Sequence, residues 1–241
     1  MKTMKAGFLC LALCAGFASS ASAQMTWTDK GFVNLTGGVQ VGSHTLDTST
    51  AFDLYDEQAT VASSQKVKSG GMFDVGAGYK VWHNLAIGVG YSWTSSKANA
   101  TINASVPDPV LYDRYRAVES TASGLKHSES VINLSATWMV PLTDKIDVGV
   151  SAGPSIFSVK QDIPGSLTAS EPGPTITIAV DSASKTTVGV HFGVDVAYMI
   201  NKRFGVGGLA RYTRGSVELA GASDKLTVGG FQVGAGLRAR F

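Results

Sequence analysis

Residues 229–241 read Gly-Gly-Phe-Gln-Val-Gly-Ala-Gly-Leu-Arg-Ala-Arg-Phe. From Phe231 onward every second residue is apolar: Phe231, Val233, Ala235, Leu237, Ala239 and Phe241. Gln232, Gly234, Gly236, Arg238 and Arg240 alternate with them. A period of two places the two sets on opposite faces of one extended strand. The strand alone does not say whether its apolar face meets a protein core or lipid.

The same alternation recurs along the chain. Apolar sets begin at Val33, Phe73, Leu85, Ile132, Ile146, Val188 and Phe204. Each runs for about 9–13 residues, the length that crosses a hydrocarbon layer at barrel tilt, whereas soluble strands run nearer five or six. The intervening positions are dominated by small residues, among them Gly76, Gly78, Gly88, Gly90, Gly149, Gly153, Gly189, Gly193, Gly205 and Gly207. A face turned to water would carry Lys and Glu instead, whereas the inside of a narrow barrel has little volume to fill. Connections alternate too. His83-Asn84, Pro141 to Lys145 and Asn201 to Arg203 are tight, while those around 43–70, 95–127, 160–186 and 215–225 are longer. One rim of turns and one of loops is the arrangement of a membrane barrel. Trp82, Trp93, Trp138, Tyr198, Phe204, Tyr212 and Phe241 stand near strand ends, where interfacial girdles form.

These observations define an all-β fold: a closed, up-and-down antiparallel transmembrane barrel of eight strands. Short alternations at 101–106 and 175–180 flank prolines and read as hairpins rising beyond the membrane. The alternative is that they add two strands, making ten. The first long connection is rich in Thr and Ser and holds Asp47, Asp53, Asp56 and Glu57, whose spacing matches no cation-binding loop.

Composition agrees: 44% hydrophobic, 16% charged and 28 glycines, a charge-poor and glycine-rich balance for a soluble domain. Residues 1–23 read as a cleaved secretory signal, with Lys2 and Lys5, an apolar core from Phe8 to Phe17 and a small-residue site Ala21-Ser22-Ala23. Residues 24–241 form the barrel domain. Cys10 and Cys14 leave with the signal, so disulfides and thiolate metal sites are excluded. The mature part keeps 18 basic residues (20 less Lys2 and Lys5) against 18 acidic ones. That balance gives no reason to expect a nucleic-acid partner.

The pattern resembles the small bacterial outer-membrane barrels, the group holding the OmpA-like transmembrane domain and the opacity-type surface antigens. Gly229 to Phe241 carry the likeness as a motif, and the alternation carries it across nearly the whole mature chain. The resemblance implies export to the outer membrane of a Gram-negative-type bacterium, with lipid and lipopolysaccharide around the barrel. It further implies that the outer-membrane assembly machinery recognises the last strand through Phe231, Val233, Leu237 and Phe241. Two departures stand out. No peptidoglycan-binding domain is expected after Phe241, and the second and third outer loops are long for so small a barrel.

Parity points nine charged residues inward: Asp74, Lys80, Glu129, Asp147, His191, Asp195, Arg211, Arg238 and Arg240. Isolated burial of a charge is costly, and both signs are present, so a polar network of ion pairs is expected. The bland reading is a plugged lumen in a structural, surface-presenting barrel; the sharper one is a narrow porin-like channel for small solutes. A third is a lipid-modifying enzyme, prompted by Lys126-His127-Ser128-Glu129-Ser130. There, however, His127 and Ser128 take opposite faces, which works against a nucleophile and its base. His191 and Asp195 share a face but stand about 13 Å apart at roughly 3.3 Å per residue. Gly205 to Ala210 matches a loose dinucleotide pattern without the helix that would give it meaning. No catalytic residue, cofactor or metal is assigned, and the extracellular partner is open.

Overall fold

A computed structural model of the chain describes residues 26–42, 44–67, 69–170, 175–217 and 226–241. The expected signal at 1–23, the prolines at 172 and 174 and most of the fourth outer connection lie outside the described residues. Among the described residues ten strands follow in chain order. They are β1 (Gly31–Val41), β2 (His44–Leu54), β3 (Glu57–Val67), β4 (Gly70–Trp82), β5 (Leu85–Pro107), β6 (Tyr115–Thr143), β7 (Ile146–Ser170), β8 (Thr175–Met199), β9 (Phe204–Val217) and β10 (Leu226–Arg240).

Eight of them close a ring. Going round, β1 pairs with β4, then β5, β6, β7, β8, β9 and β10 follow, and β10 pairs back onto β1, every pairing antiparallel. The closing pair runs without a break from Phe32 opposite Arg240 to Val41 opposite Phe231. The backbone carbonyl of Phe241 extends it by accepting from the N–H groups of Lys30 and Gly31 at 2.6 and 2.8 Å.

Alternation sorts the side chains as the period of two requires. Ile87, Leu237 and Val188 keep 60%, 61% and 70% of their surface exposed on the outer wall, while Asp74, Ser92, Asn133, His191, Arg211 and Arg238 are buried inside. A continuous apolar wall of this extent far exceeds the few hundred Å² that a water-soluble monomer exposes. Lipid is its solvent.

The last two strands differ in origin from the ten-strand alternative. The segments 101–106 and 175–180 are the upper ends of β5 and β8, and neither enters the ring as a strand of its own. The extra pair is the β2–β3 hairpin, formed by the first outer connection, where Thr/Ser-rich composition predicts a loop. The reason is a hydrogen-bonding demand. β4 stops opposite Ser95, so the edge of β5 above that point has lost its partner. β3 takes the vacated edge, with Thr60 to Gln65 opposite Ser105 to Ala100. β5 to β8 have 23, 29, 25 and 25 residues. Crossing the membrane uses only about 9–11 residues of a tilted strand, so more than half of each projects outward.

One irregularity re-aims side chains within this projection. Between Ala98 and Ala100 of β5, β6 steps from Leu125 to Ala122. Gly124 occupies the bulge at φ 75°, a left-handed conformation costly for residues with a Cβ. Below the bulge β6 buries odd-numbered residues such as Leu125, His127 and Glu129. Above it, Arg116, Val118 and Ser120 take the half-buried positions.

The seam between β1 and β10 relies on absent side chains. A Cβ on Gly236 would lie 1.9 Å from the carbonyl oxygen of Leu35, and one on Gly38 would lie 2.1 Å from that of Val233. Gly236→Val should therefore hold the two strands apart. In unheated detergent gels the compact, heat-modifiable band should fall to a minor fraction. A full gel shift in this variant would refute the close approach.

Candidate functional site

The inward side chains stack in layers along the barrel axis. At the rim of short turns, Trp27 folds in from the segment preceding β1 and is 2% exposed. It packs with Phe32, Ala86 and Met139. Its backbone N–H donates to Asn84 Oδ1 at 3.0 Å, and Lys80 donates from Nζ to its backbone carbonyl oxygen. The Lys80 ammonium also lies 5.8 Å from the indole centroid, within cation–π range. Arg240 joins this layer over the Phe32 ring, donates to Asn34 Oδ1 at 3.1 Å, and has Asp147 at 3.8 Å.

Next comes a two-pronged ion pair. Arg238 donates from Nε and Nη2 to the two carboxylate oxygens of Asp195 at 2.9 and 2.6 Å, and from Nη1 to Thr36 Oγ1 at 3.1 Å. Above it Arg211 donates to Asp74 at 2.6 Å, to Ser92 Oγ at 2.8 Å and to Gln232 Oε1 at 2.8 Å. Gln232 in turn donates to Gln40 at 2.7 Å. A void of about 70 Å³ lies between the two ion pairs, lined by residues that include Asn34, Ser135, Thr137 and His191. That is room for a few water molecules and no larger solute.

His191 and Asp195 do not meet. His191 faces Ser155 Oγ at 2.9 Å, and Ser155 gives its single hydroxyl proton to Asn133 Oδ1 at 2.7 Å. The Nδ1 of His191 is therefore the donor to Ser155. Glu129 accepts from Gln40 Nε2 at 3.0 Å, from the Gly229 N–H at 3.1 Å and from His127 Nε2 at 2.8 Å. The other ring nitrogen of His127 meets Gln161 Oε1. Both ring nitrogens of His127 are thus taken up by neighbouring side chains of the interior. Ser128 is on the opposite face, and Ser96, directly across from His127, has a buried hydroxyl without a hydrogen-bond partner.

The outer end of the lumen departs from the expectation of a polar interior. Val131, Phe157, Val159, Val217, Leu226 and Val228 form an apolar cluster there, all 4% exposed or less. Phe157 fits because glycine stands on the next two strands round the ring, β8 and β9: a Cβ on Gly189 or Gly215 would come within 2.7 or 3.0 Å of its ring. Parity already turned Phe157 and Val159 inward, as it did Gln40, Gln161 and Gln232. They are uncharged, so the rule that a buried charge needs a partner does not single them out. Trp27 precedes the first alternation and carries no periodic signal.

Beyond the membrane, β2, β3, β5 and β6 form a sheet with its own small core of Val61, Ile102, Ala104 and Val106. Its two hairpin tips touch, since the Asp113 N–H donates to Glu57 Oε1 at 2.8 Å. Tyr55, Asp56 and Asp113 hold positive φ there, at 56°, 61° and 59°. Asp108 accepts from the N–H groups of Val110 and Leu111, which holds its carboxyl below the ordinary carboxylate range. Val110 and Tyr112 stand 84% exposed.

The family described as outer membrane protein beta-barrel domain matches residues 8–238, so the chain belongs to that family. No curated protein matches it. Among solved structures, Neisserial surface protein A is 14% identical, with 88% of this chain and 97% of that one covered and a TM-score of 0.48. The outer membrane protease OmpT of Escherichia coli is 10% identical, with 92% and 100% covered and a TM-score of 0.47. OprG of Pseudomonas aeruginosa is 12% identical, with 88% and 97% covered and a TM-score of 0.45. None of these likenesses carries an activity over to this chain.

The side chain of Arg238 is wholly enclosed, so removing its partner leaves a buried charge. Asp195→Ala should lower the unfolding free energy in lipid by roughly 3–5 kcal/mol. Adding Arg238→Met to it should restore most of the loss. Urea titration followed by tryptophan fluorescence measures both, and equal stability of Asp195→Ala and the parent would refute the pairing.

Proposed function

We propose that this member of the outer-membrane β-barrel family is a non-enzymatic surface protein whose lumen is shut and whose outer sheet is its working part. The layered interior supports this reading best. Solute crossing the barrel would have to displace Trp27, two guanidinium–carboxylate pairs and the apolar cluster around Phe157 in turn. Breaking one buried pair alone costs several kcal/mol. A ring of eight strands has room for side chains and no spare bore. Against catalysis, both nitrogens of His127 are engaged within the interior and Ser128 is on the other face.

The proposal extends to how the protein reaches its membrane. Residues 1–23 direct export and are removed. The outward row Phe231, Val233, Leu237 and Phe241 is read by the assembly machinery. Once in place, the barrel is solvated by lipid, and the outer hairpins meet an extracellular partner whose identity is open.

Two measurements test this. In planar bilayers the purified protein should give a flat trace at the resolution of single openings; discrete, reproducible conductance steps would establish the narrow-channel reading in its place. Deleting Phe241 should shift most of the protein from the outer membrane to the periplasm. Normal surface levels would remove the terminal strand from the recognition signal.

A further inference from the structure

The connection between β5 and β6, residues 108–114, stands at the far end of the outer sheet and carries Val110, Leu111 and Tyr112 in succession. They are 84%, 48% and 84% exposed. Apolar residues scattered singly over a surface need no explanation, but three in a row at one hairpin apex do. The core of the outer sheet ends just below them, at Val106, and the apex does not fold back onto it. Asp108 holds the turn open. It accepts from the N–H groups of Val110 and Leu111 at 3.0 and 3.2 Å, and its own N–H donates to the Arg114 carbonyl oxygen at 2.7 Å. Pro107 and Pro109 fix the backbone on either side of it.

The protein's own membrane does not reach this apex. Trp93 is the last large apolar residue on the outer wall of β5, and the strand continues to Pro107. At roughly 3.3 Å per residue that stretch is about 46 Å long, or about 35 Å along the membrane normal at a tilt near 40°. The headgroup region adds only about 5–8 Å to each side of the hydrocarbon layer. Val110, Leu111 and Tyr112 therefore face whatever lies opposite the cell surface.

Their surroundings follow the order of polarity met on entering a bilayer. The aliphatic apex comes first. Tyr55 and Tyr115, 40% and 46% exposed, flank it with Arg114, and rings with a polar tip beside a basic group suit the headgroup boundary. Insertion into lipid penalises unpaired backbone N–H groups. Here those of Asp108, Val110, Leu111 and Asp113 are hydrogen-bonded within the two touching tips, and Pro109 has none. Charge selects among bilayers. Around the apex Asp56, Glu57, Asp108 and Asp113 stand against Arg114 and Arg116, an acidic balance that an anionic surface repels and a zwitterionic one does not.

We propose that Val110, Leu111 and Tyr112 form a lipid-inserting tip that docks the outer sheet onto a second, zwitterionic phospholipid bilayer facing the cell. Only these side chains enter, to the shallow depth of an interfacial anchor, and the Tyr55 and Tyr115 rings rest at the headgroups. The inference deepens the reading of the outer sheet as the working part of a surface protein, and rests on it.

The test embeds the folded protein, its gel shift confirmed, in nanodiscs and mixes them with phosphatidylcholine vesicles, with empty discs as the baseline. On flotation the parent should rise with the vesicles at least tenfold above that baseline. It should rise several-fold less when half of the vesicle lipid is phosphatidylglycerol. Val110→Ser combined with Tyr112→Ser should return flotation to the baseline with the gel shift intact, since both side chains are exposed. Tyr112→Trp should keep flotation, and bromine on the lipid chains of the target vesicles alone should quench the introduced indole. The native Trp27, Trp82, Trp93 and Trp138 stay at the level of the disc, out of reach of that bromine. A parent that stays at the baseline would overturn the proposal, as would undiminished flotation of the serine variant or a preference for the anionic vesicles. Flotation without quenching would also overturn it, because the tip would then touch headgroups without entering. Conductance steps in planar bilayers would strike the surface-protein reading and leave these outcomes untouched, so the two failures are distinguishable.

Discussion

The backbone hydrogen bonds between β1 and β10 are the interaction on which the molecule depends. In hydrocarbon an unpaired N–H or C=O costs several kcal/mol and no water is at hand to relieve it. An open eight-stranded sheet would expose two such edges. Ten residue pairs, from Phe32–Arg240 to Val41–Phe231, remove both at once. Chain ends far apart in sequence therefore have to meet. Glycine at 38, 234 and 236 lets them do so, since each position has backbone of the partner strand where a side chain would begin.

Closure then creates the second problem, a narrow interior that must be filled without orphaned charge. Gly207 shows how the two demands interlock. A Cβ there would lie within 3.0 Å of Arg238, so the small residue on β9 is the space occupied by the arginine of β10. The arginine reaches Asp195 on β8 across that gap. Phe157 repeats the device with Gly189 and Gly215 at the outer end. Gly189, Gly207 and Gly215 are thus the complements of particular large side chains, while Gly38 and Gly236 make room for backbone.

The period of two made the ring legible because a transmembrane strand has two solvents, lipid and lumen, and each residue must suit one of them. It assigned Asp74, His191, Arg211 and Arg238 to the interior from the sequence alone. It could not assign β2 and β3. Outside the membrane both faces of a strand tolerate Thr, Ser and Ala, so Thr48 to Thr50 and Ala62 to Ser64 carry no contrast to read. What folds that hairpin is the unpaired edge of β5, a feature of β4's length and not of local composition. The ion-pair partners were equally hidden: Arg211 and Asp74 are 137 residues apart, and parity gives a face without giving a neighbour around the ring.

The outer sheet has an edge of its own, and the chain treats it differently from the seam. Among the described residues β2 pairs with β3 and with no strand on its other side. In water such an edge is free of the hydrocarbon penalty but invites pairing with another chain. Exposed Asp47 and Asp53 lie along it, and the turn beyond adds Asp56 and Glu57. Charge on an edge strand disfavours addition of a further strand, because the newcomer would bury those carboxylates. The same chain therefore closes one edge by pairing, where no solvent can satisfy it, and guards the other by charge, where water can. Extension beyond the membrane is tolerable only under that second arrangement. It is the condition that lets β5 to β8 project a stable surface outward without recruiting strands from neighbouring molecules.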